Sequence, residues 1–157
     1  MSSAFNNLNN IDLSKIPDAT NLKFGIAISK WNKEVTDGLL NGCISLLKAK
    51  GVLDDNIIIS RVPGSFELIY ASKKLQLQDV NSVIAIGSVI RGETMHFDFI
   101  CNATSLGIKD LNVSGKCPVI FCVLTDDNIQ QSVDRSGGKY GNKGSEAAIA
   151  AIEMAII

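Results

Sequence analysis

A single tryptophan, Trp31, and a single histidine, His96, are the residues of this chain whose types most directly suggest chemistry. Each closes a short apolar run: Trp31 in F-G-I-A-I-S-K-W-N, His96 in I-G-S-V-I-R-G-E-T-M-H. A third run ends in V-P-G-S-F-E and brings Glu67, and a fourth, P-V-I-F-C-V-L-T, is followed by Arg135 in D-R-S-G-G-K-Y-G-N-K-G. An imidazole carries protons near neutral pH, an indole face stacks on a flat heterocycle, and a guanidinium holds an anion. Together at the ends of strands, these types argue for a site more strongly than any one of them alone.

Each residue also has a bland reading. A lone histidine in a helical segment is ordinarily structural. Here it falls in the first turn of a helix starting near Thr94, where the helix N-terminus favours a neutral ring able to take and return a proton. The same helix start, after Gly92, offers the backbone N–H groups of Glu93 and Thr94 to an anion. A single tryptophan is usually core, yet Trp31 stands between Lys30 and Asn32 at a strand end, open to a ligand. Glu67 either complements a helix dipole or binds a ligand. Phe66 and Phe121 read as core residues, and Arg135 and Lys143 as cations beside a flexible loop, either solvated or holding an anion.

Positioning these residues requires a particular set of elements. Apolar runs at Leu22 to Ser29, Asn56 to Val62, Ser82 to Ile90 and Pro118 to Leu124 read as strands. Helical spacing follows each, over 32–50 (stopped by Gly51), from Pro63 to about 78, over 94–112 and over 127–134, with a last helix at the C-terminus. Strands alternating with helices predict right-handed crossovers and a four-stranded parallel sheet covered on both faces, an α/β/α three-layer sandwich. In such sheets ligands bind beyond the carboxyl ends of the strands. Residues 1–21 are polar and rich in asparagine and read as an N-terminal arm, with residues 22–157 as one α/β domain.

Composition sets the outer limits. The chain has 157 residues, 46% apolar and 20% charged, with a formal net charge of −1. Its mean hydropathy of +0.20 is more apolar surface than a monomer readily hides, which predicts subunit contacts. Uncharged runs such as Val80 to Ile90 fall short of the ~20 residues a membrane helix needs, so no membrane role is expected. A sequence pI near 5.8 leaves no basic footprint for nucleic acid. Cys43, Cys101, Cys117 and Cys122 form no Cys-x-x-Cys pair, and one histidine cannot complete a zinc set. With no apolar leader at the N-terminus, the four thiols predict a reducing, cytoplasmic setting. The stretch from Gly137 to Gly144 resembles a phosphate loop but has Asn142 in place of the second glycine and Gly144 in place of Ser or Thr.

The five quoted segments, in this order and at fitting spacing over about residues 22–155, resemble the lumazine synthase family. The resemblance implies a flavodoxin-like fold, possible addition of an N-terminal strand to it, and the penultimate step of riboflavin biosynthesis. In that step 5-amino-6-(D-ribitylamino)uracil condenses with 3,4-dihydroxy-2-butanone 4-phosphate to 6,7-dimethyl-8-ribityllumazine, phosphate and water, with no metal or organic cofactor. Carried over by motif, Trp31 would stack on the pyrimidine and Ser65, Phe66 and Glu67 would hold the ribityl chain. Ser88, Val89 and Ile90 would line the ring pocket. Glu93 and Thr94 would bind the phosphate with help from Arg135, and Phe121 would come from a neighbouring subunit. His96 matches the proton carrier, and Lys143 and Glu146 match a charged pair near the site. The resemblance also implies a homo-pentamer. The uninterrupted loop at 135–144 favours a sixty-subunit shell, for which riboflavin synthase is a candidate cargo. The alternatives are a non-catalytic flavin- or lumazine-binding cage and a related pentameric riboflavin synthase.

Overall fold

In the computed structural model, which describes residues 11–157, the apolar run after Lys23 becomes a fully buried strand, β1 (Phe24–Ser29). It is followed by α1 (Lys33–Ala49), β2 (Ile57–Val62), α2 (Leu68–Gln76), β3 (Ser82–Ile90) and α3 (His96–Ser114). Next come β4 (Val119–Asp126), α4 (Ile129–Arg135), a two-stranded ribbon of β5 (Ser136–Gly138) and β6 (Gly141–Asn142), and α5 (Lys143–Ala155). The main sheet has the order β2-β1-β3-β4, and every neighbouring pair is parallel. This is the expected flavodoxin-like α/β/α sandwich.

The period of two along β1 sorts its side chains between two cores. Phe24, Ile26 and Ile28 join Ile84, Ile86, Cys122 and Leu124 under α1 and α5, while Ala27, Val83, Ala85 and Val123 lie under α2 and α3. On α1, Val35, Leu39, Leu40, Cys43, Leu46 and Leu47 recur at helical spacing and are all buried. Truncating one such leucine to alanine typically costs about 2–5 kcal/mol. Gly51 takes φ +90°, a left-handed conformation that suits a glycine ending a helix.

Several boundaries differ from the sequence expectation: α3 starts at His96 rather than near Thr94, with Met95 as its N-cap, and three further differences have a visible cause. The second helix begins at Leu68, not Pro63, because the Glu67 carboxylate accepts the Gly64 N–H at 2.9 Å and closes P-G-S-F-E into a turn of its own. The fourth strand runs on to Asp126, whose carbonyl accepts the Arg91 N–H at 3.0 Å and extends the pairing beyond the end of β3. The glycine-rich segment is not a loose loop but the β5–β6 ribbon, fastened by Asn142. That side chain donates to the Gly38 carbonyl at 2.8 Å and the Ser136 carbonyl at 3.1 Å, and accepts the Gly144 N–H at 2.8 Å as the N-cap of α5.

Of the expected N-terminal arm, residues 1–10, and any strand they add, lie outside the described residues. In the remainder, Ile16 and Ala19 are buried in the α1-side core and Ala19 donates to the Lys50 carbonyl at 3.0 Å. Residues 11–21 therefore pack on their own chain, with Ile11 partly buried against the same core.

Candidate functional site

Strand β1 is the point at which the chain reverses direction across the sheet: β2 lies on one side of it and β3 on the other. Such a switch point leaves a crevice beyond the strands' carboxyl ends. A cleft of about 660 Å³ opens there, within the range that takes a small-molecule ligand. Its lining includes Trp31 and Asn32 after β1, Pro63 to Glu67 after β2, Ser88 to Ile90 of β3, and His96 and Ile100 on α3.

Each wall has an identifiable support. Trp31 is 71% exposed, so it is not a core residue, and its N–H is held by the Pro63 carbonyl at 3.2 Å. Asn32 follows with φ 54°, the left-handed region an asparagine enters more readily than most residues, and its Nδ2 donates to the Ser88 carbonyl at 3.0 Å. Ser88 itself is buried, with its hydroxyl 3.5 Å from that of Ser132, so its backbone borders the cleft. Among the described residues the Ser65 hydroxyl is buried without a hydrogen-bond partner, a costly state for a polar group. Gly87 lets this floor close: a β-carbon there would stand 2.7 Å from Ser65 Oγ and 2.9 Å from Leu68 Cδ1.

Phe66 is 51% exposed in the cleft and Phe121 is 42% exposed on edge strand β4, correcting the expectation that both are core residues. A turn and an edge strand leave one flank of each ring without a neighbouring element. Glu67 lines the cleft, and its carboxylate holds the Gly64 amide in the turn before α2. His96 is exposed as the first residue of α3, its N–H 3.4 Å from the Thr94 hydroxyl oxygen.

The remaining expected residues fall elsewhere in this chain. Glu93 and Thr94 occupy the exposed turn between Ile90 and His96, at the rim. Arg135 ends α4, donating to the Gln131 carbonyl at 2.7 Å, with Asp126 at 3.9 Å and the Tyr140 ring 5.4 Å away. Lys143 and Glu146 pair with each other at 2.6 Å in the first turn of α5. Glu93, Thr94, Phe121, Arg135, Lys143 and Glu146 are thus not in the lining of the cleft formed by the described residues. Asn32 was missed in the sequence, where only its place after Trp31 pointed to it, and Ile100 carried no signal beyond helical periodicity.

Cleft and sheet together define a parallel α/β protein with a cleft of small-molecule size at its switch point and a histidine in the lining. The family described as 6,7-dimethyl-8-ribityllumazine synthase matches residues 21–157. The chain is 54% identical to the 6,7-dimethyl-8-ribityllumazine synthase of Christiangramia forsetii, over 99% of this chain and 94% of that protein. It is 56% identical to that of Flavobacterium psychrophilum, over 100% and 84%, and 59% to that of Flavobacterium johnsoniae, over 96% and 80%. The chain belongs to the 6,7-dimethyl-8-ribityllumazine synthase family.

Proposed function

We propose that this chain condenses 5-amino-6-(D-ribitylamino)uracil with 3,4-dihydroxy-2-butanone 4-phosphate to give 6,7-dimethyl-8-ribityllumazine, releasing phosphate and water. The single observation that carries the reading is the shared cleft of Trp31 and His96 at the β1/β3 switch point. The exposed indole is a platform for the pyrimidine ring. Ser65, Phe66 and Glu67 bear on the ribityl chain. Ser88, Val89 and Ile90 border the ring edges. Glu93 and Thr94 take the phosphate just before α3, and Arg135, which lies away from the cleft of its own chain, helps from a neighbouring copy.

The chemistry needs little beyond this. The pyrimidine's primary amine attacks the ketone and loses water, the phosphate is eliminated to leave a carbonyl on the neighbouring carbon, and the ribityl-bearing nitrogen attacks that carbonyl and closes the second ring with loss of a second water. Each step moves protons, and His96 is the side chain in the cleft suited to carry them. Holding two reactants together supplies much of the remaining acceleration.

The reading also takes the active unit as a homo-oligomer, with Phe121 of a neighbouring copy completing the pocket and Lys143 and Glu146 near it. Phe99, Leu106 and Val113 recur at intervals of one heptad along α3 and are all exposed, an apolar face that suits a neighbouring subunit. A pentamer, twelve of which close into a sixty-subunit shell able to enclose riboflavin synthase, is the assembly proposed. Free thiols at all four cysteines suit the cytoplasm. No helix among the described residues is long and apolar enough to cross a membrane.

One assay tests the activity. The purified protein is mixed with both substrates while lumazine absorbance and free phosphate are followed. Stoichiometric appearance of both supports the reading, and binding of lumazine without turnover overturns it. Light scattering showing only a particle the size of five chains would remove the shell.

A further inference from the structure

The exposed turn that leads into α3 has almost no packing of its own: a β-carbon built on Gly92 would meet nothing within 4 Å, and residues 91–96 are all exposed. Yet this turn carries the Glu93 amide and the Thr94 hydroxyl and aims His96. Something beside it must fix its shape. Arg91, at its start, is gripped from both sides. Its backbone N–H donates to the Asp126 carbonyl at 3.0 Å and its Nε to Asp127 Oδ1 at 3.1 Å, both at the end of β4 and just after it. Its Nη1 reaches Asp98 Oδ2 at 3.3 Å, and its guanidinium carbon lies 4.1 Å from the centroid of the buried Phe97 ring, both on the first turn of α3.

We propose that Arg91 is a positioning residue, a clamp between β4 and α3 that holds the 92–95 turn in the shape the phosphate-bearing substrate requires. The inference rests on the function proposed above. It also says what Arg91 is not. Although its guanidinium starts two residues from the Glu93 amide, two carboxylates already occupy its Nε and Nη1 edges and its face lies on an aromatic ring. The free charge for the phosphate must come from elsewhere. The same junction reaches Arg135, because Asp126 accepts the Ser132 hydroxyl at 2.7 Å and stands 3.9 Å from the Arg135 guanidinium.

A single exposed ion pair contributes little. Here one planar fork serves two carboxylates and stacks on a ring, a combination a lysine ammonium cannot reproduce. Misplacing groups around a reacting centre by about 1 Å can cost on the order of a hundredfold in rate.

The test compares native protein, Arg91→Lys, Arg91→Gln and Asp127→Asn. Expected is a rise on the order of tenfold in KM for the dihydroxybutanone phosphate in both Arg91 variants, with KM for the pyrimidine substrate within about twofold of native. The Arg91→Gln and Asp127→Asn effects should overlap in the double variant, since both break one contact. Amide hydrogen exchange at residues 92–95 in substrate-free protein should quicken in Arg91→Gln. An unchanged phosphate-substrate KM, equal rises in both KM values, effects that multiply, or unchanged exchange would each overturn the clamp. If native protein forms no lumazine, the proposed function falls, and the exchange experiment still decides the clamp. Asp127→Asn, altering one exposed carboxylate, keeps the test open should Arg91→Gln fail to fold.

Discussion

Asn32 Nδ2 donates to the Ser88 carbonyl oxygen at 3.0 Å, tying the left-handed residue after Trp31 to the strand end that borders the same cleft. One side chain thus joins the β1–α1 turn to β3. A left-handed backbone costs most residues roughly 1–2 kcal/mol, and glycine escapes that cost. Asn32→Ala should lower Tm through strain and also lose the bridge, whereas Asn32→Gly should keep more of the stability but weaken pyrimidine binding. Thermal melts and KM for each substrate separate the two effects.

Trp31→Ala removes the stacking platform without opening the core. With stacking on an aromatic worth about 1–3 kcal/mol, KM for the pyrimidine substrate should rise on the order of tenfold to a hundredfold, and Trp31→Phe should recover much of it. Thermal stability should move little, because the side chain is exposed. An unchanged KM in Trp31→Ala would remove the indole from the site.

His96→Ala deletes the proposed proton carrier from the first position of α3. Its kcat should fall, with a general acid–base contribution of about 10²–10⁴ as the ceiling. Residual activity is expected, since proximity of the two substrates survives. Steady-state kinetics with both substrates measure the loss, and an unchanged kcat excludes the role.

Gly87 sits where α2 and the Ser65 turn approach β3 most closely. Gly87→Val must displace Ser65 Oγ and the Leu68 side chain, which stand within 3 Å of the first added carbon. Overpacking of this kind costs about 1–3 kcal/mol. A denaturant melt should show that loss together with weaker binding of the ribityl-bearing substrate.

Burial pushes the Cys43 thiol far up and the Cys122 thiol up to about 12, from an ordinary value of 9.0. As pH rises past 9, the unfolded chain releases thiol protons that the folded chain retains, so stability is intact below that pH and falls above it. Unfolding free energy measured from pH 8 to 11 should decline, and less steeply in Cys43→Ala/Cys122→Ala. In native protein a thiol reagent at neutral pH should leave both cysteines unmodified.

Much of the architecture was legible in one dimension. Apolar runs alternating with helical periodicity implied the parallel sheet, because strands covered on both faces read as near-continuous apolar runs, and β1 and β3 do so apart from Ser29, Ser82 and Ser88. Boundaries were less legible where a side chain competed with the backbone pattern. Pro63 suggested a helix start, but the Glu67 carboxylate holds the Gly64 amide and delays regular helix to Leu68. The glycines at 137–144 suggested mobility, but Asn142 reaches across to the carbonyl of Gly38 on α1, a partner distant in sequence.

For the candidate site the division is similar. Residue type and position after a strand were enough to single out Trp31, Glu67 and His96, because chain order alone sends every strand end of a parallel sheet to one rim. Which of those ends share a cavity depends on strand order, and only the folded sheet places β1 between β2 and β3 while turning Arg135, Lys143 and Glu146 away from the cleft. The exposure of Phe66 and Phe121 and the paired state of Arg91 were likewise decided in three dimensions. Burial and ion pairing depend on neighbours far along the chain, and local sequence carries no record of which neighbours those will be.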